Sequence, residues 1–358
     1  MDFVLDVCDE YLLDSIWAKV LPVHLPASSL APLAARELVN GTLKLAVGAD
    51  LSGAAAGQAQ TVSAWPRDDW RRQAISLYVV VFISIHLLYF IIASFSYFVL
   101  YDKRMEHHPR FLKNQKWLEI KCSLEAFPAL DILTLPWFVG EVRGWSKLYK
   151  SVDDCPWGGA WGGIAYTVLS SALFLWTTDL AIYWIHRLEH HPKLYKHIHK
   201  PHHRWVIPTP YAAFAFHPLD GYAQSLPYHI FVFLVPIHRF QYMGLFVFVN
   251  IWTIAIHDSD MIVDHPLEHI INGPAHHTLH HLWFTCNYGQ YFTWADKTWG
   301  SYRHPAKSDD PLLEVLRLKE RREAEKALLK REKDLAIARY DEAQLRERKP
   351  ARTTSVKS

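Results

Sequence analysis

The sequence predicts an all-α, multi-pass integral membrane protein with a helical, histidine-rich cap on the cytosolic face. Three observations lead there. About 27 of the 38 basic and 36 acidic side chains fall after residue 300, which leaves long stretches before it nearly free of charge. Seventeen of the 22 histidines lie between His186 and His281, at the ends of apolar runs rather than within them. A cluster of Lys and Arg follows the most apolar run directly. The composition (50% hydrophobic, 20 Pro, 4 Cys) excludes a collagen, a low-complexity chain and a disulfide-built mini-protein. A net charge of only +2 argues against a nucleic-acid partner. Cys8, Cys122, Cys155 and Cys286 show no CxxC spacing, so neither a disulfide framework nor a thiolate metal site is expected.

Residues 1–72 read as a mixed N-terminal lead-in, with no basic start and apolar core of a cleavable signal. Asn40-Gly41-Thr42 within it matches a glycosylation acceptor, relevant only if that end is lumenal. Residues 73–305 form the membrane-embedded body. Ile75–Tyr101 runs 27 residues without a formal charge, longer as a helix than the ~30 Å hydrocarbon layer. His86 within it reads as a membrane histidine bonded to a neighbouring helix. The following Lys103, Arg104, Arg110, Lys113, Lys116 and Lys121 place that loop in the cytosol. Segment 123–140 carries Glu125, Pro128, Asp131 and Pro136, and is either a poor span or a re-entrant element. Gly162–Ile185 crosses again, with Asp179 its one charge; a carboxylate at such depth marks a functional candidate. Tyr222–Ile256 is too short for two straight spans and is broken at Pro236, His238 and Arg239, so a hairpin that dips in and returns is expected. Such a return brings all histidine clusters to one face. Residues 306–358 read as a charged, solvated cytosolic helix.

The histidines fall in three groups. His186 and His190 in HRLEH are four apart, which puts both imidazoles on one helix face, with Asp179 two turns earlier on nearly the same stripe. His199, His202 and His203 in HKPHH share an i, i+3, i+4 spacing, and His277, His280 and His281 in HTLHH repeat it. Eight imidazoles exceed what one ion binds, so the count predicts a dinuclear site with positions left for substrate or gas. HExxH is absent, and no thiolate adjoins the groups, which disfavours a zinc protease, structural zinc or an Fe–S cluster. O₂ chemistry on a lipid-dissolved substrate makes iron the leading metal.

The boxes HRLEH, HKPHH and HTLHH resemble the histidine signature of the membrane fatty acid hydroxylase superfamily of non-haem diiron oxidases and desaturases. The strings TPYAAFAFHPLDGYAQSLPYH (209–229), FVNIWTIAIHD (248–258) and HTLHHLWFTCNYGQYFTWADKTWGSYR (277–303) resemble fungal C-5 sterol desaturases, or lathosterol oxidases. The likeness spans roughly residues 75–305.

The resemblance implies removal of hydrogens from C5 and C6 of a Δ7-sterol, with O₂ as oxidant, in ergosterol-type sterol biosynthesis. It maps the eight box histidines onto ligands of two Fe and adds His257 of the IHD string as a ninth. His217, in the FHP string, is a ligand or substrate-pocket residue. Some relatives carry a histidine where Met261 stands, so Asp264 or His265 either replaces that ligand or, as the preferred reading, lies in a solvated loop. Asp179 and Glu189 are candidates to hold a ligand imidazole by its second N–H. Trp205, Phe284, Tyr288, Tyr291 and Phe292 are candidate pocket walls. With neither GxGxxG nor a haem-binding HPGG string present, electrons are expected from cytochrome b5 and its NADH-dependent reductase, docking near Lys196, Lys200 and Arg204. The family's endoplasmic reticulum location is implied too. Rival readings are a sterol C-4 methyl oxidase or a sphingolipid or fatty acid hydroxylase, and, from a different class, a metal transporter or haem electron carrier.

Overall fold

The computed structural model describes residues 1–25 and 60–347, so the Asn40 sequon and the last 11 residues lie outside the described residues. Helices α1 (Asp2–Cys8) and α2 (Asp14–Val20), joined by a π-helical turn at Asp9–Leu13, lead into an antiparallel pairing of β1 (Pro22–Leu25) with β2 (Gln60–Ser63). Leu5, Leu13 and Trp17 are buried against Leu77 and Phe138 of the bundle. The buried Arg72 guanidinium fixes this contact by donating to Asp9 at 2.7 Å and to Asp14.

Helix α3 (Trp70–Phe95) starts where the Asp69 carboxylate accepts the Arg71 N–H, and it continues as a π turn over Ser96–Leu100. With α4 (Gln115–Val142) and α5 (Gly159–Glu189) it makes three helices long and apolar enough to cross a membrane. Ile83, Leu87, Ile91 and Phe98 point outward from α3, and Ile164, Val168 and Trp176 from α5, as lipid-facing positions require. The chain is a membrane protein. Helix α4 answers the question left open by its prolines: it runs unbroken through Pro128 and Pro136 for 28 residues, roughly 42 Å. Packing against α3 and against the hairpin described next outweighs the two missing N–H donors.

Between α5 and the hairpin lies the short α6 (Pro192–Tyr195). The expected hairpin is two helices of 17 residues, α7 (Pro218–Leu234) and α8 (Arg239–Ala255), each roughly 25 Å long and so short of a full crossing. Its tip, β4 (Ile237–His238), pairs in parallel with β3 (Leu148–Tyr149), ten residues before α5 begins. The hairpin therefore starts and ends beside the C-terminus of α5. Phe174 and Ile182 of α5, Tyr228 and Phe231 of α7, and Val249 of α8 close one core; Tyr89, Phe127, Phe214 and Ile254 close the other. Helices α9 (Pro274–Trp283) and α10 (Trp294–Thr298) complete the histidine end. The last helix, α11 (Pro311–Glu347), is solvent-exposed along most of its length and touches the body near its start, where Val315 is buried and Glu314 lies 3.1 Å from His108.

Candidate metal centre

Local sequence explains how each imidazole is presented. His186 and His190 end α5, His199, His202 and His203 ride a chain turned by Pro201, His257 follows the last turn of α8, and His277, His280 and His281 share one face of α9. The fold brings all nine together in two groups, His186/His190/His199/His203/His280 and His202/His257/His277/His281, each with its ring nitrogens within 4.8 Å of one another.

The convergence is through Nε2. His203 Nε2 lies 3.0 Å from the Nε2 atoms of His190, His199 and His280, and His186 Nε2 is 3.1 Å from that of His199. In the second group the Nε2 separations are 3.3 Å for His202–His257, 3.0 Å for His257–His277 and 3.1 Å for His277–His281. Metal–nitrogen bonds of about 2.0–2.1 Å place neighbouring ligand atoms roughly 3 Å apart, so these spacings fit a shared ion in each group. The opposite ring edges point the same way. Nδ1–H of His186 donates to the Tyr288 carbonyl at 3.0 Å, that of His257 to Thr253 at 2.6 Å, and that of His280 to Cys286 at 2.7 Å. His199 Nδ1–H donates to the Asp220 carboxylate at 2.8 Å. Each such bond fixes the tautomer that leaves Nε2 free to bind a metal.

Burial also favours the neutral, metal-binding form. His202, His203, His277, His280 and His281 are pushed far below the ordinary imidazole value, by burial first and by neighbouring imidazoles second. His257 falls to about 4 through burial. Because the unfolded chain takes up these protons near pH 6.5 and the fold does not, stability holds above that pH and is lost as the pH drops toward the folded values. Each proton that the unfolded chain takes up in this range costs the fold on the order of 1 kcal/mol by pH 5.5. Thermal unfolding of chelator-treated protein should show Tm falling steeply between pH 7 and 5.5, with bound metal offsetting the fall.

Asp220 is the residue that sequence reasoning missed. It lies 21 positions from His199, in the first turn of α7, and no local pattern links the two. Gln224 ties it to Glu189, donating to Asp220 at 2.6 Å and to Glu189 at 3.0 Å. Glu189 thus stands 4.0 Å from His199 Nδ1, behind Asp220. It pairs with neither Arg187 nor Lys193. Asp220→Asn should reduce metal affinity or activity about 10- to 100-fold, whereas Glu189→Gln should cost less; metal content and turnover measured on the two variants check the ranking.

Other expectations need correction. Asp179 holds no imidazole: its Oδ1 accepts the backbone N–H groups of Gln290, Tyr291 and Phe292 at 3.1, 2.7 and 3.2 Å. His217 lies outside both groups and caps α7, its ring accepting the Leu219 N–H. His265 caps the next turn in the same way, and Asp264 pairs with Lys307, so neither replaces a ligand at Met261, which is buried against Ala275 and Leu279. His86 bonds within its own helix, to the Phe82 carbonyl, rather than to a neighbour. None of the five candidate walls lines the cavity beside the histidines: Phe284 and Tyr288 pack on His203 and His186, Trp205 donates to the Ala215 carbonyl, and Tyr291 and Phe292 pack with Phe174 and Tyr228. That cavity, about 360 Å³, is lined by Phe127, Phe138, Phe214, Phe216 and Tyr228, with His186, His202, His257 and His277 at one end. Lys196, Lys200 and Arg204 are exposed beside the second box.

Comparison with known proteins gives the chain's family. The fatty acid hydroxylase family profile matches residues 171–301. The chain is 48% identical to Delta(7)-sterol 5(6)-desaturase ERG3B of Gibberella zeae over 89% of its length and 94% of the relative's. It is 52% identical to Delta(7)-sterol 5(6)-desaturase erg3C of Aspergillus fumigatus over 72% of its length and 84% of the relative's. Lathosterol oxidase of Rattus norvegicus is 50% identical over 68% of this chain and 79% of its own. No solved structure matches the chain.

Proposed function

Since the chain belongs to the fatty acid hydroxylase family, in its Δ7-sterol 5(6)-desaturase branch, we propose that it introduces the C5=C6 double bond into a Δ7-sterol. The sterol loses two hydrogens; with two further electrons and two protons, O₂ leaves as two waters. The observation that carries the reading is that four of the converging histidines line one end of a mainly apolar cavity between the helices of the bundle.

The nine histidines are assigned as ligands of two irons, five on one and four on the other, because the inward Nε2 atoms, with the Nδ1 edges of His186, His199, His257 and His280 tied behind them, suit a metal pair. Bound iron supplies the oxidising power that no side chain has. The protein's own share is position and exclusion of water. Asp220 holds the His199 ring, Tyr288 and Cys286 carbonyls hold His186 and His280, and the Asp179 tether keeps Gly289 and Gln290 on the cavity wall. Phe214, Phe216 and Tyr228 keep the reacting ring dry and against the imidazole wall. A small displacement there would favour an alcohol over an alkene.

The electrons are assigned to cytochrome b5 and its NADH-dependent reductase, with Lys196, Lys200 and Arg204 offering a basic surface to an acidic donor. Residence in the endoplasmic reticulum membrane with the histidine end cytosolic completes the reading. Sterol profiling of desaturase-deficient membranes supplied with this chain tests it. A conjugated 5,7-diene, seen by its near-ultraviolet absorption, is the expected product. A 4-methyl oxidation product or a hydroxylated lipid without diene would overturn the assignment.

A further inference from the structure

We propose that Asp131 is the anchor for the sterol's 3β-hydroxyl, an inference that rests on the desaturase reading above. Asp131 is 3% exposed, lines the cavity, and neither of its carboxyl oxygens has a hydrogen-bond partner among the described residues. The other two buried carboxylates of α4 are both engaged: Glu119 accepts from Thr209 and Gln115, and Glu141 from the Met1 ammonium at 2.8 Å. A carboxyl in mid-membrane with no partner is costly to maintain, and a ligand that brings a hydroxyl removes that cost.

Position along the cavity selects the hydroxyl. Phe127, one turn before Asp131, packs on Phe214 at 5.9 Å between ring centroids; Phe214 packs on Phe216 at 6.1 Å, and Phe216 faces His202 at 6.4 Å. Asp131 therefore belongs to the half of the cavity nearer the histidines. Beyond it α4 runs ten residues to Glu141, roughly 15 Å, along a wall of Thr134 and Phe138 with Phe246 opposite. In a sterol the C5–C6 bond adjoins the ring that carries the hydroxyl, while the alkyl chain extends from the far end of the ring system. With C5 and C6 at the imidazole wall, the hydroxyl has to stay near that wall and the alkyl chain runs along Phe138, Phe246 and Val247, short of the Glu141–Met1 ion pair in the remote lining. The sterol O–H donates to an Asp131 carboxyl oxygen. His229, whose Nδ1 also lacks a partner, sits against Trp137 and Phe138, further from the histidines, and is the anchor of the reversed orientation.

The test uses the full-length, iron-loaded protein in membranes with its electron supply, and compares a Δ7-sterol with its 3-deoxy counterpart by equilibrium binding of labelled sterol and by diene formation. The native protein should prefer the hydroxysterol by about 10- to 100-fold. Asp131→Leu should raise the hydroxysterol KM by that factor, leave the 3-deoxy KM in place and change kcat little. Asp131→Asn, which keeps the shape and one acceptor oxygen, should retain part of the preference and guards against misfolding of the leucine variant. The anchor is overturned if the native protein does not discriminate, if the asparagine and leucine variants both keep the full preference, or if His229→Leu abolishes it instead. Absence of diene from the native protein would defeat the desaturase reading itself; diene formation with a preference independent of Asp131 would defeat only the anchor.

Discussion

His203→Ala is expected to lower sterol turnover by more than about 100-fold, beyond the range typical of losing an outer-shell partner. Its Nε2 is the hub of the larger group, 3.0 Å from three other Nε2 atoms that come from three different segments: the end of α5, the HKPHH turn and α9. Removing one imidazole from the rim would leave the rest of the set in register, but removing the hub separates all three arms. The neighbouring Phe284 ring, 4.9 Å away, cannot supply a donor atom. Iron content by elemental analysis should fall together with turnover, while circular dichroism at pH 7.5 should keep its helical signature. Full turnover in the variant would remove His203 from the ligand set.

Asp179→Ala should destabilise the fold by about 3–5 kcal/mol. One buried oxygen accepts three consecutive backbone N–H groups, and its loss takes that partner from all three, the Tyr291 N–H in the interior and those of Gln290 and Phe292 at its margin. A Tm decrease of roughly 4–7 °C is expected for a chain of this size. Because Gly289 and Gln290 line the cavity and the Tyr288 carbonyl holds His186, turnover should fall as well. Asp179→Asn keeps an acceptor oxygen and should recover a good part of both. Detergent-solubilised thermal unfolding, run beside activity, checks the ordering Asp, Asn, Ala; an alanine variant as stable as the parent would show that the tether is unnecessary.

Much of the frame was legible because membrane insertion imposes long-range order on short-range composition. A helix in hydrocarbon satisfies its own backbone, so an uncharged run such as Ile75–Tyr101 declares itself without knowledge of any neighbour. The i, i+3, i+4 histidines were legible for a similar reason, since the period of a helix fixes which rings share a face. Where Pro128 and Pro136 interrupted α4, composition alone left two outcomes, and contacts with α3 and α7 decided for a continuous helix.

What the sequence determined by itself was therefore the two uninterrupted apolar spans, the return of the hairpin to the histidine end, and the spacing that lets three arms converge. Only the tertiary structure decided which polar group meets which. Asp179 and Asp220 look alike as lone carboxylates beside apolar runs, yet one ties down backbone amides 111–113 residues away and the other orients His199. The division of the histidines into five and four, and the lack of a partner for Asp131 among the described residues, were settled in the same way. Hydrogen bonds are made over about 3 Å, and whether two groups come that close depends on how whole helices pack, which no local period records.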